Sequence, residues 1–418
     1  MRLRGNFRGS ALIIAVMLSL IVIFLMTVGS RLIVTSSTET KTQQKVLAEA
    51  DNIARAGLVD AIAWFKRQSM QPVRSGYPPT LYAYADAAFY PRYSTDTTKS
   101  STIDESVGLV KEFQISDDGL KWARYEVRRQ TVDPAAGAYD SHAVHDITSQ
   151  RIDAKNDGEG LAWYIESIGY VYKKVSAGAA FNVSPNSVLS KVRASTEVRR
   201  LSLSLPVEAA LLTSAGGSGN TYKVKIYKNG RVIGGNNIGC GYVSGNSPKI
   251  YTGGQLTGNP SSKSGISAPT VSYVLGVSAT ELKLLCDYTV SDTSQLPSDL
   301  PDMTLIYVDG NAVFSSTRTL RSSGILFVNG NLTISANSNS LYSGLIYATG
   351  TVTIDEPALI SGSVVAYGGA TISNSSASDV AEIDYDATIL SSVRQQLCQY
   401  RENKSTLHVF IGVPGLEN

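Results

Sequence analysis

Four glycines, at 310, 330, 350 and 369, cut the last third of this 418-residue chain into near-equal lengths of 20, 20 and 19 residues. Each ends an apolar, β-like hexamer: Leu305–Gly310 (LIYVDG), Ile325–Gly330 (ILFVNG), Leu345–Gly350 (LIYATG) and Val364–Gly369 (VVAYGG). A second short strand follows, as in Asn331–Ile334 and Thr351–Ile354, and Gly324, Gly344 and Gly362 mark another corner. A strand, a glycine turn and a strand at fixed period predict stacked rungs, because a unit this short buries its inward residues only against its neighbours. The expectation is a right-handed β-solenoid with rungs of about 20 residues. Ile226–Gly230 and Ile250–Gly254 look like earlier rungs, which places the solenoid at 207–375 with an irregular insertion at 255–302.

A solenoid end exposes unpaired strand edges that need cover. Residues 376–418 are expected to supply a C-terminal cap, with the helical stretch Ile383–Tyr400 over the end and Leu407–Val413 as an added edge strand. On that reading the solenoid does not polymerise end to end.

At the other terminus a basic leader, residues 1–9 with Arg2, Arg4 and Arg8, runs into the apolar segment Ala11–Val28. Its 18 residues include only two polar ones, Ser19 and Thr27. As a helix it would span roughly 27 Å, close to the hydrocarbon core of a bilayer. The arginines would hold the N-terminus in the cytoplasm and send the remainder across as a single-pass protein. From Thr35 to Gln68 there is no proline, and Val46, Leu47, Ala50, Ile53, Ala54, Leu58, Ala61, Ile62 and Phe65 recur at helical spacing. One helix from Ser10 to Gln68 would be about 90 Å long. A stem of that length, assigned to 10–70, needs a partner surface.

The leader ending in Gly9, followed by Ser10-Ala11-Leu12-Ile13-Ile14 and the apolar-then-amphipathic helix, resembles type IV pilin-like proteins with a class III leader, most closely PilX-like minor pilins. The resemblance implies prepilin peptidase cleavage between Gly9 and Ser10 with methylation of the new amine, Gly5 being a second candidate. It also implies stem packing through Leu12, Ile13, Ile14, Val16, Leu20 and Phe24. Ile14 stands where major pilins carry a buried glutamate that pairs with a neighbour's N-terminal ammonium. That departure points to a minor or tip subunit. The rungs resemble those of bactofilin-like proteins.

Residues 75–206 read as a pilin-like antiparallel β-sheet head. A tyrosine-rich, proline-punctuated loop comes first, then strand-like runs at Leu109–Ile115, Leu120–Thr131, Leu161–Lys174 and Val192–Leu205. The fold class is thus α+β followed by all-β: a long helix, a sheet head, a solenoid.

The 37 basic and 35 acidic residues nearly balance, so overall charge gives no reason to expect a nucleic-acid partner. Three cysteines, Cys240, Cys286 and Cys398, permit one disulfide in an exported chain. Cys240 with Cys286 is preferred, Cys240 preceding the insertion and Cys286 lying within it. The pair His142 and His145 (HAVHD), next to Asp146, has no third metal ligand apparent, and Asp153–Gly158 (DAKNDG) has Lys155 at a calcium-ligand position and Tyr164 where the bidentate glutamate belongs. No catalytic residue, cofactor or metal is expected. The expected partners are other pilins, the assembly machinery, the prepilin peptidase, the inner membrane and a surface or host ligand. A secretion-system pseudopilin, a permanently anchored envelope scaffold and a polysaccharide-acting β-helix enzyme are the alternatives.

Overall fold

The computed structural model describes residues 8–66, 108–128, 142, 144–150, 161–373 and 379–411. The leader before Arg8, the tyrosine-rich loop and the segment 153–158 lie outside them.

Helix α1 runs Arg8–Lys66, 59 residues. Five strands of the head follow: β1 (Gly108–Gln114), β2 (Lys121–Arg128), β3 (His145–Asp146), β4 (Ala162–Lys173) and β5 (Ser187–Arg200). They pair antiparallel in the order β1-β2-β4-β5, with β3 alongside β4. Alternation decides which side meets the stem: Trp163, Ile165 and Val171 of β4 face α1, while Glu166 and Tyr170 face away.

The first solenoid strands are β6 (Ala209–Thr213), β7 (Val224–Ile226), β8 (Gly230–Ile233), β9 (Ile238–Tyr242), β10 (Lys249–Ile250), β11 (Gln255–Thr257) and β12 (Ser262–Ser264). Helices α2 (Val271–Leu275) and α3 (Ala279–Leu285) come next, each with a hydroxyl N-cap, Thr270 and Ser278. Then β13 (Tyr288–Val290), β14 (Thr304–Val308), β15 (Ala312–Phe314), β16 (Arg321–Val328), β17 (Leu332–Ile334), β18 (Ser340–Ala348), β19 (Thr351–Ile354), β20 (Ala358–Ala366), β21 (Gly369–Ile372) and β22 (Ala381–Tyr385) complete the stack. Helix α4 (Ala387–Leu397) and strand β23 (Tyr400–Ile411) end the described chain.

All solenoid ladders are parallel, and the 20-residue period appears directly in the register: Leu305 pairs with Ile325, and Ile325 with Leu345. Ile306, Leu326, Ile346 and Val364 fill the interior. The alternate positions Tyr307, Phe327 and Tyr347 point outward yet are buried under α2, α3 and α4, stacked at 4.9 and 5.2 Å. Burial on both faces explains why the hexamers are apolar throughout rather than alternating. Gly324, Gly344 and Gly362 stack in register with φ of +122°, +146° and +133°. A Cβ at Gly344 would lie 2.0 Å from the carbonyl oxygen of Gly324, so the corner admits no side chain.

The spatial order of rungs departs from chain order. The chain lays down β6–β12 at one end, crosses to the other, and returns rung by rung from β14 to β22. There β22 pairs with both β20 and β8, and β21 with β7. Residues 383–400 therefore do not cover an end: β22 is internal, and α4 lies on the flank against β16, β18 and β20. The far end is covered by the segment after β13, where the Thr293 hydroxyl donates to Val313 O at 2.8 Å. Residues 255–264, expected within an insertion, form β11 and β12 of the terminal rung.

Strand β23 returns to the head and pairs antiparallel with β5, Tyr400 opposite Arg200 and Ile411 opposite Val192. The solenoid is thus inserted between two adjacent strands of the head, and 376–418 is not a separate cap.

Candidate assembly interface

The stem has two environments along its length. Between Val46 and Phe65 the stripe expected from sequence lies on the head sheet, with Ala50, Ala54, Ala61 and Phe65 fully buried. Phe65 meets Trp163 at 5.6 Å and Tyr400 at 5.2 Å, so the last strand helps to seat the stem. Burying Leu58 and Phe65 contributes about 2 kcal/mol each. Small residues set the spacing, because Gly169 of β4 lies directly under the helix backbone at Ala50 and Ala54. Polar clamps flank the stripe: Lys121 pairs with Glu49, and the Tyr125 hydroxyl donates to Asp60.

Nearer the N-terminus the helix stands free of the head. Leu20 is 60 % exposed, Phe24 67 % and Met26 69 %. This sleeve is apolar around its circumference, so no single face is reserved for water. The membrane span expected over Ala11–Val28 is not supported: among the described residues no helix is long and apolar enough to cross a membrane. Gly9 and Ser10 fall at the start of α1, but the surroundings of both, and the side chains of Leu12, Ile13, Ile14 and Val16, lie outside what the structure describes.

A second interface, which sequence reasoning missed, joins head and solenoid. Arg199 of β5, 4 % exposed, places Nε 3.1 Å from Glu281 Oε1 and donates to Gly276 O at the C-terminus of α2. Arg401 of β23 donates to Leu285 O at 2.8 Å and pairs with Asp287, while Lys404 Nζ donates to Cys286 O at 3.1 Å. Head cations therefore sit on the carbonyl ends of α2 and α3, where the helix dipole favours positive charge. Arg199→Ala leaves Glu281 facing a gap and is expected to cost about 3 kcal/mol in urea unfolding. Arg55→Ala, which removes a solvent-exposed pair with Asp51 on the stem, is expected to change stability by less than about 0.5 kcal/mol.

The expected Cys240–Cys286 bond is not formed. All three thiols are free and buried, Cys240 inside the solenoid and Cys286 in the separate cluster beneath the flanking helices. Burial pushes each thiol up to about 12. His142 Nδ1 lies 2.9 Å from Glu166, beside Arg193, and His145 packs on the Tyr164 ring at 5.1 Å. Among the described residues no group of three or more His, Cys, Asp or Glu side chains could hold a metal ion.

No family model matches the sequence, and no curated protein does. Among solved structures, the chain is similar to the crystal structure of the competence-associated pilin ComZ from Thermus thermophilus. That similarity is at 11 % identity, covers 88 % of this chain and 98 % of that one, and has a TM-score of 0.18. Superposition at that score carries no argument, so the functional reading rests on the stem, head and solenoid themselves.

Proposed function

We propose that this protein is a minor type IV pilin-like subunit that takes part in pilus assembly and displays its solenoid at the tip for adhesion. The single observation carrying the reading is α1: one continuous helix whose distal third is bound to an antiparallel sheet while the apolar side chains described between Met17 and Val28 are exposed. Water does not tolerate such a sleeve bare, and a bundle of like stems covers it on all sides. The prepilin peptidase frees Ser10, and the stem then packs among other pilins through Leu20 and Phe24. The protein resides at the bacterial inner membrane before assembly and on the pilus or cell surface after it. The insertion of the solenoid between two strands of the head, locked by Arg199 and Arg401, suits rigid display.

Mass spectrometry of the mature N-terminus is the test. The expected result is a chain beginning at N-methylated Ser10, at low copy number relative to the main filament constituent. An intact Met1, or a cut near Gly29, would overturn the assignment and leave an anchored envelope scaffold.

A further inference from the structure

From Ala209 to Thr280 the chain carries Lys223, Lys225, Lys228, Arg231, Lys249 and Lys263 and no acidic residue. This bias contrasts with the near balance of the whole chain, and it falls on the uncovered end of the solenoid. On the outward face of β7 and β10, Lys225 stands in register with Lys249, and Lys223 lies two residues along the same face. Among the described residues none of these three has an ion-pair partner. Like charges directly opposite one another weaken a ladder, so their juxtaposition is unfavourable unless an anion sits over them.

Aromatic rings accompany the charges. Tyr227 and Tyr251 stack at 4.3 Å with their planes 3° apart, and Lys249 Nζ lies 5.5 Å from the centre of the Tyr222 ring. Strand β10 ends its sheet, so the ring of Tyr251, 37 % exposed, is the outermost of that stack. In the other direction the lysine column continues as Thr371, Thr353 and Thr333, each in register with the next. Among the described residues these three hydroxyls have no hydrogen-bond partner. The face therefore carries a straight column of hydroxyls and then ammoniums, one per rung at about 4.8 Å, with the stacked rings of Tyr227 and Tyr251 two residues to its side.

We propose that this track binds an extended acidic polysaccharide, a chain of uronic acid or similarly charged pyranose units. A pyranose unit of an extended chain advances by close to one rung spacing, so successive sugars meet successive rungs. Carboxylates face Lys225 and Lys249, sugar hydroxyls face the threonines, and the apolar C–H face of a sugar covers Tyr251. A single-stranded nucleic acid fits less well: it uses several free ring faces for successive bases, whereas the stacked pair shields the faces between its two rings. The proposal names a ligand class for the adhesive part of the proposed function. It depends on that reading only for where the protein resides.

The test uses the full chain in a non-ionic detergent, with polygalacturonate as probe and dextran and single-stranded DNA as comparisons. Polygalacturonate should bind, weaken as salt is raised, and exceed both comparisons. Lys225→Glu with Lys249→Glu should lower affinity about tenfold or more, as expected for two lost charge-assisted contacts. Tyr251→Ala should lower it by a smaller factor, and Lys263→Glu, on the separate strand β12, should leave it within about twofold. Should the double variant lose its fold by circular dichroism, Lys249→Gln supplies the same comparison without charge reversal. Equal binding of dextran, tighter binding of DNA, or indifference to the lysine substitutions would overturn the proposal. Indifference would leave the lysines only the task of keeping two solenoid ends apart. None of these outcomes bears on the mature N-terminus, so the two readings fail separately.

Discussion

Gly169→Val is expected to detach the stem from the head. A Cβ at position 169 would lie 2.4 Å from Ala50 O and 2.5 Å from Ala54 N, closer than real Cβ contacts come. Both neighbours are helix backbone, which cannot rotate aside, so α1 must retreat along its whole contact and uncover Ala54, Leu58 and Phe65. The expected loss is about 3 kcal/mol or more, read by urea unfolding and by new protease cleavage within Val46–Lys66. A variant as stable and as protease-resistant as the parent would show that stem and sheet do not approach this closely.

Gly344→Val tests the solenoid in the same way, with a second penalty added. The residue is the middle of three stacked corners and has a φ of +146°, a conformation that a β-branched side chain disfavours by about 1–3 kcal/mol. Its Cβ would also meet Gly324 O at 2.0 Å. Together these are expected to cost about 4 kcal/mol and to lower the thermal midpoint by about 10 °C. Gly178→Ala is the matching control, since a Cβ there meets nothing within 4 Å, and its midpoint should stay unchanged.

How much of this was legible beforehand depended on whether the determining contacts are periodic. The rung spacing, the glycine corners and the stem stripe from Val46 to Phe65 repeat at fixed intervals, so each was readable from local pattern and each is present in the structure. The head strands were readable because Trp163–Tyr172 and Val192–Val198 are rich in β-branched and aromatic residues. Strand order was not readable, because nothing in Ile383 or Val232 says that the two will pair. Such choices follow from which edges remain open after the local units form. The joint at Arg199 and Arg401 was hidden for a related reason: beside Glu281 and Asp287, its acceptors are backbone carbonyls of α2 and α3, which carry no residue signature. The disulfide expectation misjudged proximity in sequence as proximity in space. The basic, tyrosine-bearing face went unread in the sequence, because only the register of Lys225 with Lys249 turns a run without acids into a line.

The path of the chain has a consequence for biogenesis. Ser363 closes onto Ala209 across 154 residues, and the rungs made first await those made last. Strand β23, the last described, completes the head as well. Long-range closure of this kind is slow, so neither unit can set before its last strands are available. The early lysine-bearing strands β7 and β8 therefore keep an open edge until β21 and β22 arrive to pair with them.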